Sequence, residues 1–321
     1  MLAGHITARG KIELVDIPEA TLEGEPGQIL FEPHLGCLCG SDLPHFDSRH
    51  TTYPQPVGYS LHEMIGVVAD TTGSRFKVGD RVLAVPVQQR GLYERYALDE
   101  NRAIPLDARK PPEQALLAQP LGTVIFSLKK LPPVIDLVVA VVGQGPIGQM
   151  FNVCLRNLGA REIIAIDRLE SRLALSEQMG ATAVINTTQQ DPVETIRKIN
   201  GGALADIVIE AVGHDDLALG QCIDLCAKYG RILSFGVPPD QVDALRWREL
   251  FYRNITVHTS VDPDFTKDFP LAMRWISEGR VDLSKLLTHR FPLAQIQTAF
   301  ETFRDRKEGA QKVLVDFPRA H

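Results

Sequence analysis

Five cysteines in 321 residues are too few, and odd in number, for a disulfide framework. Cys37, Cys39, Cys154, Cys222 and Cys226 therefore read as reduced thiols, which predicts a cytoplasmic protein. Long apolar runs are missing too. The longest, residues 137–142, has six residues, whereas a membrane-spanning helix needs about 20. Residues 1–5 lack the basic start and apolar stretch of a signal peptide, so none is expected. Nor is there an excess of positive charge: 34 Lys and Arg against 40 Asp and Glu give a net charge of −6, which excludes nucleic acid as the expected partner. Internal repeats and low-complexity tracts are absent. What is present is globular, 44% hydrophobic and 23% charged, with a length that suits two domains.

The first hundred or so residues read as short strands broken by turns. Apolar and β-branched stretches at 28–31, 65–69 and 81–87 are punctuated by Gly27, Gly58, Gly73, Gly79-Asp80 and Gly91, a pattern that predicts a β-barrel or sandwich. From 113 to 130 apolar residues recur at helical spacing until Pro132-Pro133. Strands and helices then alternate: strands at 137–142, 162–166, 183–185, 207–210 and 231–235, helices at 147–158 and 171–179. Such alternation predicts a parallel sheet covered by helices on both faces. After 261 the pattern is mixed, with a helix at 269–278 and a closing strand at 312–317 that is expected to return to the first domain.

Gly143-Gln144-Gly145-Pro146-Ile147-Gly148 is a G-x-G-x-x-G placed directly after a buried strand and before a helix. Gly143 permits the tight turn, Gly145 lets the backbone approach a pyrophosphate, and Gly148 lets the helix pack close to the strand. The helix N-terminus adds free N–H groups and a partial positive charge. Asp167 ends the second strand, 19 positions after Gly148. A carboxylate there accepts the adenosine ribose hydroxyls and repels a 2′-phosphate, so NAD is favoured over NADP. Arg168 is the neighbour that would tolerate that phosphate.

Upstream, Cys39-Gly40-Ser41-Asp42 and His62-Glu63 bring a thiol, an imidazole and a carboxylate, a set suited to zinc with one position left open. Asp42 is placed to orient the His62 ring. Taken alone, one buried Cys and one satisfied His are equally at home in an ordinary core. Cys37, and Cys222 with Cys226 one helical turn on, read as packing. The aromatics Phe46, Tyr93, Tyr96 and Trp247 read as core residues or as pocket lining, and Thr123 either as a contact to the nicotinamide or as a helix residue near a cleft.

These motifs together resemble the zinc-dependent medium-chain dehydrogenases, the group of alcohol, polyol, sugar and threonine dehydrogenases. The resemblance rests on Cys39-Gly40-Ser41-Asp42, on Gly58 followed by His62-Glu63-x-x-Gly66, and on Gly79-Asp80-Arg81-Val82. It continues through Gln119-Pro120-Leu121, the glycine fingerprint, the stretch from Asp206 to Gly213, Gly230-Arg231-Ile232 and Phe291-Pro292-Leu293, and so covers nearly the entire chain. It implies an α/β protein: a Rossmann doubly wound parallel sheet at 119–261, and a β-rich GroES-like catalytic domain made of 1–118 and 262–321. It further implies one catalytic Zn2+ held by Cys39 and His62, with Glu63 a ligand or an exchanging carboxylate. Ser41 would relay the substrate proton. His45, just past the Cys39 motif, reads either as the group that passes it to solvent or as an exposed loop histidine with no role. Gly143, Gly145, Pro146, Ile147, Gly148, Asp167 and Arg168 would hold NAD, with Ala211, Val212, Gly213 and Val237 lining its nicotinamide side.

Two departures stand out. Gln119 occupies the position where the family usually carries Glu or a nearby Cys, so it either contacts the metal weakly or hydrogen-bonds its water. No cysteine lies between Cys39 and Cys154, so the lobe that carries a second, structural zinc in many relatives is missing. The expected activity is hydride transfer between NAD and a secondary alcohol, polyol or sugar in the cleft between the domains. Asp47, Arg49 and His50 lean the choice towards a polar substrate. The alternatives are a zinc-free NADPH quinone or enone reductase of the same superfamily and a non-catalytic NAD-binding protein. Relatives pair through the edge strand of the cofactor domain, which implies a homodimer or homotetramer using residues 254–261.

Overall fold

A computed structural model describes residues 1–214, 217–242 and 245–318; the last three positions of the expected 262–321 segment thus lie outside the described residues. The chain forms two units, Met1–Gly122 with Asp264–Gly279 and Leu283–His321, and Thr123–Pro263 with Arg280–Asp282. Among the described residues no helix is long and apolar enough to cross a membrane.

The first unit is built on a seven-stranded sheet. Its order runs Leu287–Pro292, Lys312–Asp316, Gln28–Cys37, Glu63–Thr71, Arg81–Ala84, Ala103–Pro105, with Tyr96–Asp99 also paired to Gln28–Cys37. Only the first pair is parallel. The strand Gln28–Cys37 is buried along almost its whole length, because strands flank it on both edges and apolar side chains cover it. Ile29, Phe31, Phe46, Met64, Val68, Phe300, Val313 and Val315 fill the core, with the Phe46 and Phe300 rings 4.9 Å apart. Gly66 is needed where two strands cross closely, since a Cβ there would lie 2.0 Å from the carbonyl oxygen of Glu32. Phe46 and Tyr96 belong to this core, and Trp247 lies exposed on the other unit.

The second unit holds a six-stranded parallel sheet in the order Ala183–Asn186, Glu162–Asp167, Val138–Val142, Ala205–Glu210, Cys226–Ser234, Thr256–Thr259. The strand Val138–Val142 is buried throughout, as expected of a parallel sheet covered on both faces. Strand order reverses between Val138–Val142 and Ala205–Glu210, and open α/β sheets take their ligands beyond the carboxyl ends of the strands at such a point. Gly143 follows the first of these strands and Ala211 the second, so both loops stand at that crevice.

One predicted helix is two. Residues 113–130 divide into Pro112–Leu116 and Ala118–Leu128. Pro120 has no N–H to donate and is tolerated only in a first turn, so a new helix starts there although the apolar spacing runs on unbroken.

Candidate functional site

Within the first unit, ligand atoms of Cys39, His62 and Glu63 lie within 4.8 Å of one another. Each comes from a different local device. Cys39 is the extended residue before the tight turn Gly40–Asp42, and the turn is closed by its own acid, since Cys39 N donates to Asp42 Oδ2 at 2.7 Å. Glu63 opens the strand Glu63–Thr71, and its carboxylate is fully buried. His62 follows Leu61, whose φ of +94° is unusual for a branched residue. That conformation is held in place: Leu61 N donates to Asp42 Oδ1 at 3.1 Å, and Ser60 Oγ donates to the same oxygen. Asp42 thus binds both metal-motif segments, and its Oδ1 also stands 3.5 Å from His62 Nδ1.

The electrostatics call for a cation. Burial would push Asp42 upward, but contact with His62, the Ser60 hydroxyl and the Cys39 amide outweighs it and holds the carboxyl below its ordinary range. Burial would likewise lower His62, yet Asp42 and Cys39 outweigh it and raise the imidazole well above its usual value. Two acidic groups therefore ask the ring to carry positive charge, which a metal ion would supply instead. The fully buried Lys312 sits 2.7 and 2.6 Å from the two Glu63 oxygens and donates to Leu38 O at 3.0 Å. The donor set of thiolate, imidazole and carboxylate matches zinc. No motif marks Lys312, which precedes the apolar run Val313-Leu314-Val315 at the start of its strand.

The remaining expected groups are placed as follows. Ser41 is half-buried in the turn Gly40–Asp42. His45 lies on Leu43–Phe46, with its ring edge-on to Tyr59 at 4.6 Å. Gln119 is buried in the first turn of Ala118–Leu128, and Thr123 falls in the second unit. Cys37 is wholly buried, which pushes its thiol far up. It is a packing residue.

In the second unit the glycine loop has the shape its sequence implies. Gly143 adopts φ +92°, and a Cβ on it would lie 2.9 Å from Ala211 O. Pro146 opens the helix Pro146–Leu158. Asp167 Oδ2 accepts from Gln144 N at 2.7 Å, and Oδ1 accepts from Arg168 N at 2.7 Å and Leu169 N at 3.0 Å. The Arg168 side chain points to solvent. Arg172 is the cation beside the acid, 3.5 Å from Asp167 Oδ2, and no motif marks it. On the far side, buried Glu210 holds the expected nicotinamide-side backbone: Oε1 accepts from Val212 N and Gly213 N, and Oε2 from Gly236 N, at 2.7 to 3.0 Å. Val212 and Val237 remain exposed there.

The two later glycines separate a folding role from a binding role. A Cβ on Gly148 would lie 2.0 Å from Gly143 O, whereas one on Gly145 meets nothing closer than Arg172 at 3.9 Å, and Gly145 has an ordinary extended backbone. Gly148→Ala is expected to lower the thermal midpoint by several degrees, as backbone strain of about 1–3 kcal/mol would. Gly145→Ala is expected to leave that midpoint unchanged while weakening dinucleotide binding tenfold or more. Calorimetry of both variants, with and without NADH, checks this; equal loss of stability in the two would contradict it.

Comparison with known proteins agrees on both units. Residues 25–103 match the family model described as alcohol dehydrogenase GroES-like domain, and residues 146–278 that described as zinc-binding dehydrogenase. An L-threonine 3-dehydrogenase of Bacillus subtilis (strain 168) is 30% identical over 331 aligned positions, covering 92% of each chain. An erythritol/L-threitol dehydrogenase of Mycolicibacterium smegmatis is 25% identical, covering 95% of this chain and 94% of its own. The solved alcohol dehydrogenase of Thermus sp. ATN1 shares the fold, with a TM-score of 0.88 at 24% identity over 99% of this chain and 100% of the other.

Proposed function

Because the chain belongs to the zinc-dependent medium-chain dehydrogenases, we propose that it oxidises a secondary alcohol, polyol or sugar, or reduces the matching carbonyl, with one zinc ion and NAD. Cys39, His62 and Glu63 would hold the zinc, with Asp42 fixing the His62 ring from its Nδ1 side and leaving Nε2 for the metal. Gly143, Gly145, Gly148 and Asp167 would hold NAD, with the backbone at 211–213 and 237 on its nicotinamide side. When bound, zinc supplies a Lewis acid that makes a hydroxyl more acidic, and NAD supplies the hydride acceptor. The chain's own part is to fix these groups and to move one proton. Ser41, two positions from Cys39, takes the proton from the hydroxyl, and His45 delivers it to water. Asp42 stays ionised and gives the site its charge. Lys312 keeps the Glu63 carboxylate from being buried without a counter-charge. Pairing of two copies along the outer strand Thr256–Thr259, which would cover an open sheet edge, belongs to the same reading.

The observation that carries this reading is the convergence of a thiol, an imidazole and a carboxylate within 4.8 Å, from segments more than twenty positions apart in sequence. Metal analysis together with an absorbance screen of alcohols, polyols, sugars and L-threonine against NAD tests it. About one zinc per chain with NAD reduction is expected. Turnover without zinc would point to the quinone or enone reductase, and binding of NAD with neither zinc nor turnover to a non-catalytic protein.

A further inference from the structure

Directly beneath the glycine loop lie four polar side chains that dinucleotide binding as such does not require. Gln144, Gln149, Asn152 and Ser176 are each fully buried. Their bonds form one network. Gln144 Nε2 donates to Val141 O at 2.8 Å, while its Oε1 accepts from Asn152 Nδ2 at 2.8 Å and from Ser176 Oγ at 2.9 Å. Gln149 Nε2 donates to Gln144 O at 3.2 Å, to Arg172 O at 2.9 Å and to Ser176 Oγ at 3.0 Å. The backbone N–H of Gln144 is held as well, by Asp167 Oδ2 at 2.7 Å.

Gln144 is therefore held at its amide, its carbonyl and both ends of its side chain. It lies between Gly143 and Gly145, the two residues whose freedom would otherwise make this loop the softest part of the site. The network joins three pieces: the loop, the helix Pro146–Leu158 through Gln149 and Asn152, and the helix Glu170–Gln178 through Ser176 and the Arg172 carbonyl. The third piece carries Arg172, beside Asp167. Apolar side chains would fill the same space at no desolvation cost, but they would impose no direction on the loop. A buried polar set bonded to the loop does impose one, even with Asn152 Oδ1 left without a hydrogen-bond partner.

We propose that Gln144, Gln149, Asn152 and Ser176 are positioning residues for the dinucleotide: they hold the phosphate loop and Asp167 in their binding arrangement before the cofactor arrives, so that less ordering remains to be done on binding. The inference rests on the reading that this loop takes NAD. It adds that affinity depends on side chains that never touch the cofactor.

The test titrates the full-length protein with NADH, following cofactor fluorescence, and pairs this with hydrogen exchange of residues 143–149 in the free and NADH-bound forms. Gln144→Met removes the central amide at nearly constant volume, and Ser176→Ala removes one bond donor at the far end. Loss of one or more buried hydrogen bonds corresponds to about tenfold weaker NADH binding for the first variant and about threefold for the second. Exchange over 143–149 should quicken in the free variants and return to the wild-type rate once NADH is bound, and kcat at saturating NAD should stay within about twofold. Wild-type affinity in soluble variants that merely melt earlier would overturn the proposal and leave the NAD reading intact. Should Gln144→Met not fold, Ser176→Ala decides the matter by the same readings. A wild-type protein that binds neither NADH nor NADPH would overturn both.

Discussion

Replacing Cys39 with serine should strip the protein of zinc and lower kcat/KM by about a thousandfold or more. The expectation follows from charge and from ligand type. Serine at neutral pH presents a neutral hydroxyl where a thiolate stood, so the cluster loses one of three ligands and one negative charge. Lewis-acid activation of a hydroxyl contributes several kcal/mol to the barrier, and each 1.36 kcal/mol is tenfold in rate, so about three powers of ten disappear with the metal. Folding should survive, because Cys39 is only half-buried and its backbone bond to Asp42 does not involve the sulfur. Elemental analysis of the purified variant, a circular dichroism spectrum and steady-state kinetics give the three readings. A variant that keeps stoichiometric zinc would remove Cys39 from the ligand set.

A second large effect is expected at Lys312. Its ammonium is fully buried against both oxygens of Glu63, and burial would lower it were it not for its electrostatic coupling to Cys37, Glu63 and Cys39, which raises it instead. Lys312→Met keeps the stem and removes the charge, leaving a wholly buried carboxylate without its partner. Breaking one side of such a pair costs about 3–5 kcal/mol, a large fraction of the stability of an ordinary domain. Urea unfolding of the first unit should show that loss. Combining Lys312→Met with Glu63→Gln should recover much of it, because no uncompensated ion then remains. If the single variant is as stable as the wild type, the Lys312–Glu63 pair is not formed in solution.

The parts of this protein that were readable in sequence are those in which neighbours along the chain act together. The turn of Cys39 and Asp42 spans four residues, the glycine loop six, and the strand before that loop is apolar without a break. Each leaves a local mark because a turn, a close approach or a buried strand restricts which residues are allowed there. Where the partner is remote, no such mark exists. Lys312 opens a short apolar strand like many others, and only the pairing of Lys312–Asp316 with Gln28–Cys37 brings it to Glu63. Glu210 looks like the end of a strand, although its carboxylate ties together two loops. Gln149 and Asn152 look like polar lapses on an apolar helix face, until Ser176 and Gln144 appear opposite them. The break at Leu117 is hidden for another reason: spacing reports which face is buried and says nothing of continuity, and Pro120 is its one local sign.

Glu63 and Lys312 are separated by 249 positions. Synthesis runs from the N-terminus, and domains fold as they emerge, so the ribosome delivers Cys39, His62 and Glu63 long before it delivers the ammonium. A nascent chain stopped short of residue 312 would have its acid and thiol in place with their counter-ion still unmade. On the proposed zinc reading, a prematurely terminated polypeptide would keep Cys39, His62 and Glu63 but leave the Glu63 carboxylate without its buried counter-charge.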